Sequence, residues 1–171
     1  MTVQPTGRRE DRDGTDVLVL DRTLPIPPRE LWAAVTEPDR LARWIATWSG
    51  DPASGSVAVR MTAEGDDVSE STYEVLACEP PRRLAVRSVN PWGVWELELV
   101  VSAAGAGSTL SFAQVVHDAA ALGDIGPGWE YYLDRLVAAE TGGDPDAIDF
   151  ADYHPVLVEH YAALPAPGGA D

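Results

Sequence analysis

The sequence predicts an α+β fold in which a concave antiparallel sheet receives one long helix, and three observations predict it. The stretch GPGWEYYLDRLVAAETG (126–142) carries the longest clean helical pattern of the chain. Trp129, Tyr132, Leu133, Leu136 and Val137 recur at steps of three and four, while Glu130, Asp134, Arg135 and Ala138 fall on the other side. Upstream, between residues 56 and 117, runs of alternating polarity follow one another with turn residues between them and no helical segment. Strands spaced in this way pair as antiparallel hairpins. Finally, 171 residues with 45% hydrophobic content and six Trp suffice for one domain with a sizeable core.

Taken in order, residues 1–16 are polar and charged and are expected to be disordered. VLVLDRTLP (17–25) reads as the first strand. Two short helices follow. Pro28 suits a first helical position ahead of ELWAAV, with Leu31, Trp32 and Val35 as its buried stripe. Thr36-Glu37-Pro38-Asp39 resembles a capping box opening a second helix, DRLARWI, whose Leu41, Trp44 and Ile45 share a face. SVAVRMTA (56–63), STYEVLACE (71–79), RRLAVRSVN (82–90), WGVWELELVVS (92–102) and TLSFAQVVH (109–117) are the strands of the meander. Pro80-Pro81 and Pro91 interrupt it, because proline cannot donate to a ladder. Gly126, Pro127 and Gly128 are expected to exclude helix before the long one, and Gly142-Gly143 to end it. Residues 144–164 form an extension with a short amphipathic helix after Pro155 that either packs along the long helix or mediates a homodimer. A single domain over 17–164 and a loose tail over 165–171 complete the expected organisation.

The charge excludes several function classes. The formal net charge is -16, and from Asp118 onward eleven acids accompany one base, Arg135. Such a surface repels phosphate backbones and anionic membranes, so neither nucleic acid nor lipid is an expected partner. No apolar run approaches the 18 or so residues of a membrane span, and the N-terminal residues lack the apolar segment of a signal peptide. A soluble, cytoplasmic protein is therefore expected. Cys78 is the single cysteine, which forbids an intrachain disulfide, and its strand context makes it a small buried apolar residue.

The residues offer no catalytic motif. His117, beside Asp118 at a strand end, reads as a rim residue facing water. His154 and His160 are six apart, not the i,i+4 spacing of helical zinc ligands, so no metal is expected. Asp66 and Asp67 are read as solvated turn residues at a hairpin tip, and Glu96 and Glu98 as outward-facing strand carboxylates. Arg60 and Arg87 either anchor a ligand carboxylate from a strand or pair with nearby Glu on the outer face. GAGS (105–108) precedes a strand rather than a helix and so is no phosphate cradle. No cofactor is expected.

Three segments carry a resemblance to a known family: TLPIPPRELWAAVTEPDRLARW (23–44), CEPPRRLAV (78–86) and GWEYYLDRLVAAETG (128–142). Together they resemble the SRPBCC (START-like, helix-grip) superfamily, and within it the branch named after the activator of the ninety-kilodalton heat-shock protein's ATPase. The resemblance covers about residues 17–164. It implies a fold like that of the birch-pollen allergen: a curved sheet gripping a C-terminal helix around an apolar cavity. It departs at Pro27, where a capping Ser or Asp is frequent, so no side-chain cap is expected for the first helix. Eukaryotic co-chaperones of the branch carry a further N-terminal chaperone-binding domain. Only about 16 residues precede the first strand read here, so stimulation of a chaperone ATPase is not expected. The implied cavity would be lined by Trp44, Trp48, Met61, Trp95, Phe112, Trp129, Tyr132 and Leu136, with Trp92 also bordering it. It would hold a small hydrophobic or aromatic molecule without catalysis. The alternatives are an enzyme of the polyketide cyclase or aromatase type, which needs an acid–base pair facing the cavity, and a co-chaperone or protein-interaction domain.

Overall fold

The computed structural model describes residues 2–65 and 68–168. Eight antiparallel strands form one curved sheet in the order β1-β2-β8-β7-β6-β5-β4-β3. The strands are β1 (Arg8–Arg12), β2 (Thr15–Leu24), β3 (Ala46–Ser49), β4 (Ser56–Met61), β5 (Ser71–Glu79), β6 (Arg83–Asn90), β7 (Gly93–Ala104) and β8 (Gly107–Val115). The meander follows the sequence, and β7 shows why: Leu97, Leu99 and Val101 are buried inward, and Glu96 and Glu98 face out among arginines. A bulge between Val75 and Ala77 shifts the register of β5. Bulges bend a strand and re-aim the side chains that follow.

Helix α1 (Pro28–Thr36) begins at Pro28 and, as the sequence implies, has no side-chain cap. Its buried residues are Leu31, Ala34 and Val35, whereas Trp32 is half-buried. Helix α2 is shorter than expected, Pro38–Leu41. The Thr36 hydroxyl donates back to the Trp32 carbonyl at 2.6 Å instead of capping the next helix. The chain then turns into β3, which places Trp48 on an edge strand rather than after a helix.

The long helix α3 runs Leu122–Glu140 and starts well before the position expected from Gly126-Pro127-Gly128. Gly128 borders the cavity, and Gly126 has another segment against it. A Cβ on Gly126 would stand 2.1 Å from the Tyr161 ring, so the missing side chain makes room for close packing rather than breaking the helix. Gly142 (φ 84°) closes α3 in the left-handed conformation, as read from the sequence. The tyrosine belongs to α4 (Val158–Ala162) and is fully buried, so the extension packs along α3.

One expectation fails at the N-terminal end: residues 8–12 are not disordered but pair with β2 as an edge strand across the Asp13-Gly14 turn. The side of α3 opposite its aromatic face is covered as well: Glu130 is 0% and Arg135 6% exposed. Glu130 is covered by the ion-pair knot described below, and Arg135 lies against the Trp44 and Pro145 carbonyls to which it donates.

Candidate functional site

Between the N-terminal half of α3 and the concave face of the sheet lies a cavity of about 610 Å³. It is partly open to solvent, with the exposed Trp92 and Phe150 on its border. Seven of the eight residues singled out from the sequence border it: Trp44, Trp48, Met61, Trp95, Phe112, Trp129 and Tyr132. Leu136 does not. It is fully buried further along α3, in the solid core with Leu18, Leu20 and Leu31. Residues 129, 132 and 136 share a helical face, but the hollow ends before the face does.

Helical spacing gives α3 three working faces. Ile125, Gly128, Trp129 and Tyr132 look into the cavity, Leu133, Leu136 and Ala139 pack the core, and Gly126, Glu130 and Asp134 meet the N-terminal segment and the extension. The aromatic wall is continuous. The Trp129 ring lies 4.2 Å from Phe112 and 6.0 Å from both Trp95 and Tyr132, centroid to centroid. Three indole N–H groups are already satisfied inside the protein: Trp44 donates to the Ala34 carbonyl at 3.0 Å, Trp48 to the Thr36 carbonyl at 2.8 Å and Trp129 to Gln114 Oε1 at 2.5 Å. These rings present carbon, not donors, to whatever fills the space.

Polar chemistry gathers at the mouth. The Tyr132 hydroxyl donates to Glu64 Oε1 at 2.5 Å. Burial, and then the Glu64 carboxylate, push the Tyr132 phenol well above its ordinary range, so it stays a donor. Burial and Glu64 act on Tyr73 in the same direction. Asp124, at the same opening, is paired with His154 Nε2 at 2.9 Å. Trp92 and Phe150 border the mouth, 86% and 44% exposed.

Other residues read from the sequence fall elsewhere. Cys78 is exposed at the cavity edge rather than buried: the β5 bulge brings it onto the cavity face opposite Leu84, but at the end of the strand, where nothing covers it. Arg60 is exposed, and Arg87 pairs with Glu96 at 3.6 Å on the outer face, so neither reaches the cavity. His117 pairs with Glu96 rather than Asp118, at 3.4 Å. Among the described residues no cluster could hold a metal ion, and no helix is long and apolar enough to cross a membrane. Asp66 and Asp67 lie outside the described residues.

Sequence reasoning missed the knot behind α3. Glu130 accepts from the Thr6 amide at 2.5 Å, from Arg22 Nη2 at 2.6 Å and from the Tyr161 hydroxyl. Arg22 also reaches Asp134 at 2.9 Å, and Tyr153 donates to Asp134 at 2.7 Å. Burial alone would raise the Glu130 carboxyl. The Thr6 amide, the Tyr161 hydroxyl and the Arg22 guanidinium outweigh it and hold the group below the usual carboxylate range. Arg135 ties the far end of α3 to the Trp44 carbonyl at 3.0 Å and to the Pro145 carbonyl at 2.6 Å. Its isolation as the one base among eleven acids was the available sequence signal.

Comparison with known proteins agrees with this architecture. The profile of the family described as Activator of Hsp90 ATPase homolog 1-like protein matches residues 25–140. No curated protein matches the chain. CalU16 from Micromonospora echinospora, in its solution structure, superposes with a TM-score of 0.72 at 24% identity, over 96% of this chain and 97% of that one. The protein encoded by gene BPP1335 of Bordetella parapertussis gives 0.70 at 24% identity, over 96% and 97%. DynU16, from the dynemicin biosynthetic locus, gives 0.57 at 22% identity, over 75% of this chain and 49% of that one. At these identities the likeness shows the fold.

Proposed function

The chain belongs to the Activator of Hsp90 ATPase homolog 1-like family, and from that premise we propose that it binds a small apolar or aromatic molecule in the cavity between α3 and the sheet. The fold is of a ligand-binding kind. The observation that carries the reading is a hollow of about 610 Å³ whose inner wall is aromatic and aliphatic, with the indole donors of Trp44, Trp48 and Trp129 already satisfied. Such a wall offers few hydrogen bonds. It selects by shape and by apolar area, at roughly 25 cal/mol per Å² before the cost of ordering. A two-ring aromatic molecule burying roughly 250 Å² would gain about 6 kcal/mol on that scale. We place this binding in the cytoplasm, by a carrier that acts alone or as a homodimer; light scattering distinguishes the two.

The test is native mass spectrometry of the protein as purified, followed by titration with 2-naphthylmethanol. A co-purified small molecule, or saturable one-to-one binding that Met61→Trp abolishes by filling the cavity, supports the reading. Absence of both sinks it.

One observation favours a second reading. Glu64 and Tyr132 are two titratable groups in hydrogen-bond contact at the cavity mouth, the acid–base pair that a cyclase of the polyketide type needs. The carboxylate would take a proton from a carbon next to a carbonyl, while the phenol donates to the oxygen that gains charge. Glu64→Gln and Tyr132→Phe that keep ligand affinity but lose turnover would select this reading over a carrier.

A further inference from the structure

We propose that the cavity discriminates by charge, taking aromatic molecules that end in an amine or are uncharged and refusing carboxylates and phosphates, with Glu64 as the group that meets the amine. The inference rests on the binding reading above and deepens it. Among the described residues that border the cavity there are two carboxylates, Glu64 and Asp124, and no arginine or histidine, and the chain contains no lysine. The two acids are not equivalent. Asp124 is already hydrogen-bonded to His154 Nε2 at 2.9 Å, whereas among the described residues Glu64 meets the Tyr132 hydroxyl, at 2.5 Å and through one oxygen. Glu64 is one hydrogen bond from Tyr132, whose ring is 6.0 Å from that of Trp129. A ligand whose rings lie against Trp129 and whose end group reaches the Tyr132 hydroxyl therefore meets a carboxylate.

Physical chemistry then fixes the preference. An ammonium group gains a charge-assisted hydrogen bond to Glu64 and the attraction of the ring faces. An anion placed there meets a like charge, and among the described residues no basic side chain borders the cavity to offset it. The formal charge of -16 extends the same bias to the approach from solution.

Calorimetric titration of three matched probes tests this: 2-naphthylmethylamine, 2-naphthylmethanol and 2-naphthoate at pH 7. The expected order is amine, alcohol, carboxylate. The amine should be preferred to the alcohol by roughly tenfold, a margin that shrinks in high salt and disappears in Glu64→Gln. Circular dichroism checks that the variant is folded, and because Glu64 is exposed the fold should be unaffected. Equal affinities, a carboxylate that binds best, or an amine preference unchanged in Glu64→Gln overturns the charge selection while leaving the apolar cavity intact. Failure of all three probes overturns the cavity reading, and this inference with it.

Discussion

Replacing Glu130 by glutamine should destabilise the protein more than any surface substitution can. Glu130 is 0% exposed, and every group that faces it is a donor: the Thr6 amide and hydroxyl, the Gly7 amide, Arg22 and Tyr161. A carboxylate accepts from all of them. A glutamine amide turns its NH2 toward one and removes the counter-charge that Arg22, 10% exposed, relies on. Breaking a buried ion pair by neutralising one partner costs about 3–5 kcal/mol. Asp134 still contacts Arg22 at 2.9 Å, so the lower end, about 3 kcal/mol, is expected. At about 2–4 °C per kcal/mol for a chain of this size, the melting temperature should fall by roughly 10 °C. The pH dependence has a definite sign. The native pKa of Glu130 is depressed, so its contribution is complete above the unfolded value of about 4.3 and is lost as pH falls through the lower native value. Urea unfolding of both proteins, followed by circular dichroism, should therefore show a gap that is constant from pH 8 to 6 and narrows in acid. Hydrogen exchange should show Arg8–Arg12 deprotected first. A variant within about 0.5 kcal/mol of wild type at pH 7, or a gap that widens in acid, would refute the argument.

Two further outcomes follow from packing. Trp129→Ala removes a ring that is 7% exposed and contacts Phe112, so unfolding should be about 3–5 kcal/mol easier; a wild-type melting temperature would mean that α3 does not sit in this register. Gly126→Ala drives a methyl group into the Tyr161 ring, and overpacking of this kind costs about 1–3 kcal/mol. Its mark should be earlier proteolysis of the extension, with near-normal affinity for 2-naphthylmethanol, because Gly126 faces away from the cavity.

What the sequence made legible was whatever repeats locally. The alternation of β5 to β8 and the aromatic side of α3 are period-two and period-3.6 signals, and both survive in the structure. Errors arose where a distant segment decides. Arg8–Arg12 is a different case: the Asp13-Gly14 turn that pairs it with β2 is a local hairpin signal hidden by the charged composition, and only the preceding Thr6 and Gly7 are held by the distant Glu130. Gly126-Pro127-Gly128 looks like a break until Tyr161 is seen to occupy the missing side chain's place. Cys78 shares the cavity face of Tyr73 and Val75 only because one bulge shifts the parity of β5, and no local signal tells that the strand end there is left uncovered. Leu136 was grouped with Trp129 on helical spacing, which reports a face but not where along that face a hollow stops.

The same distant contacts explain how the hollow can persist. A helix laid against a sheet ordinarily stays there by burying its whole inner face. Here only the later part of α3, with Leu133, Leu136 and Ala139, is packed solidly in that way, while the earlier part looks into open space. Trp129 already reaches the sheet there, against Phe112 and Gln114, and unsupported the rest of that part would tilt inward around it. It is held from behind instead: Glu130 to Thr6 and Arg22, Asp134 to Tyr153, Gly126 against Tyr161. The ties run outward, to β2, the N-terminal segment and the extension, and they leave the inner face free of any duty to fill the cavity. A ligand can then enter without moving the helix, and its affinity need not offset a rearrangement. The corollary is that the outer knot and the cavity are mechanically linked. Loosening Glu130 should let α3 settle toward the sheet, so Glu130→Gln is expected to weaken naphthylmethanol binding although no atom of Glu130 faces the ligand. Unchanged affinity in a folded Glu130→Gln protein would show that the sheet's own curvature keeps the space open.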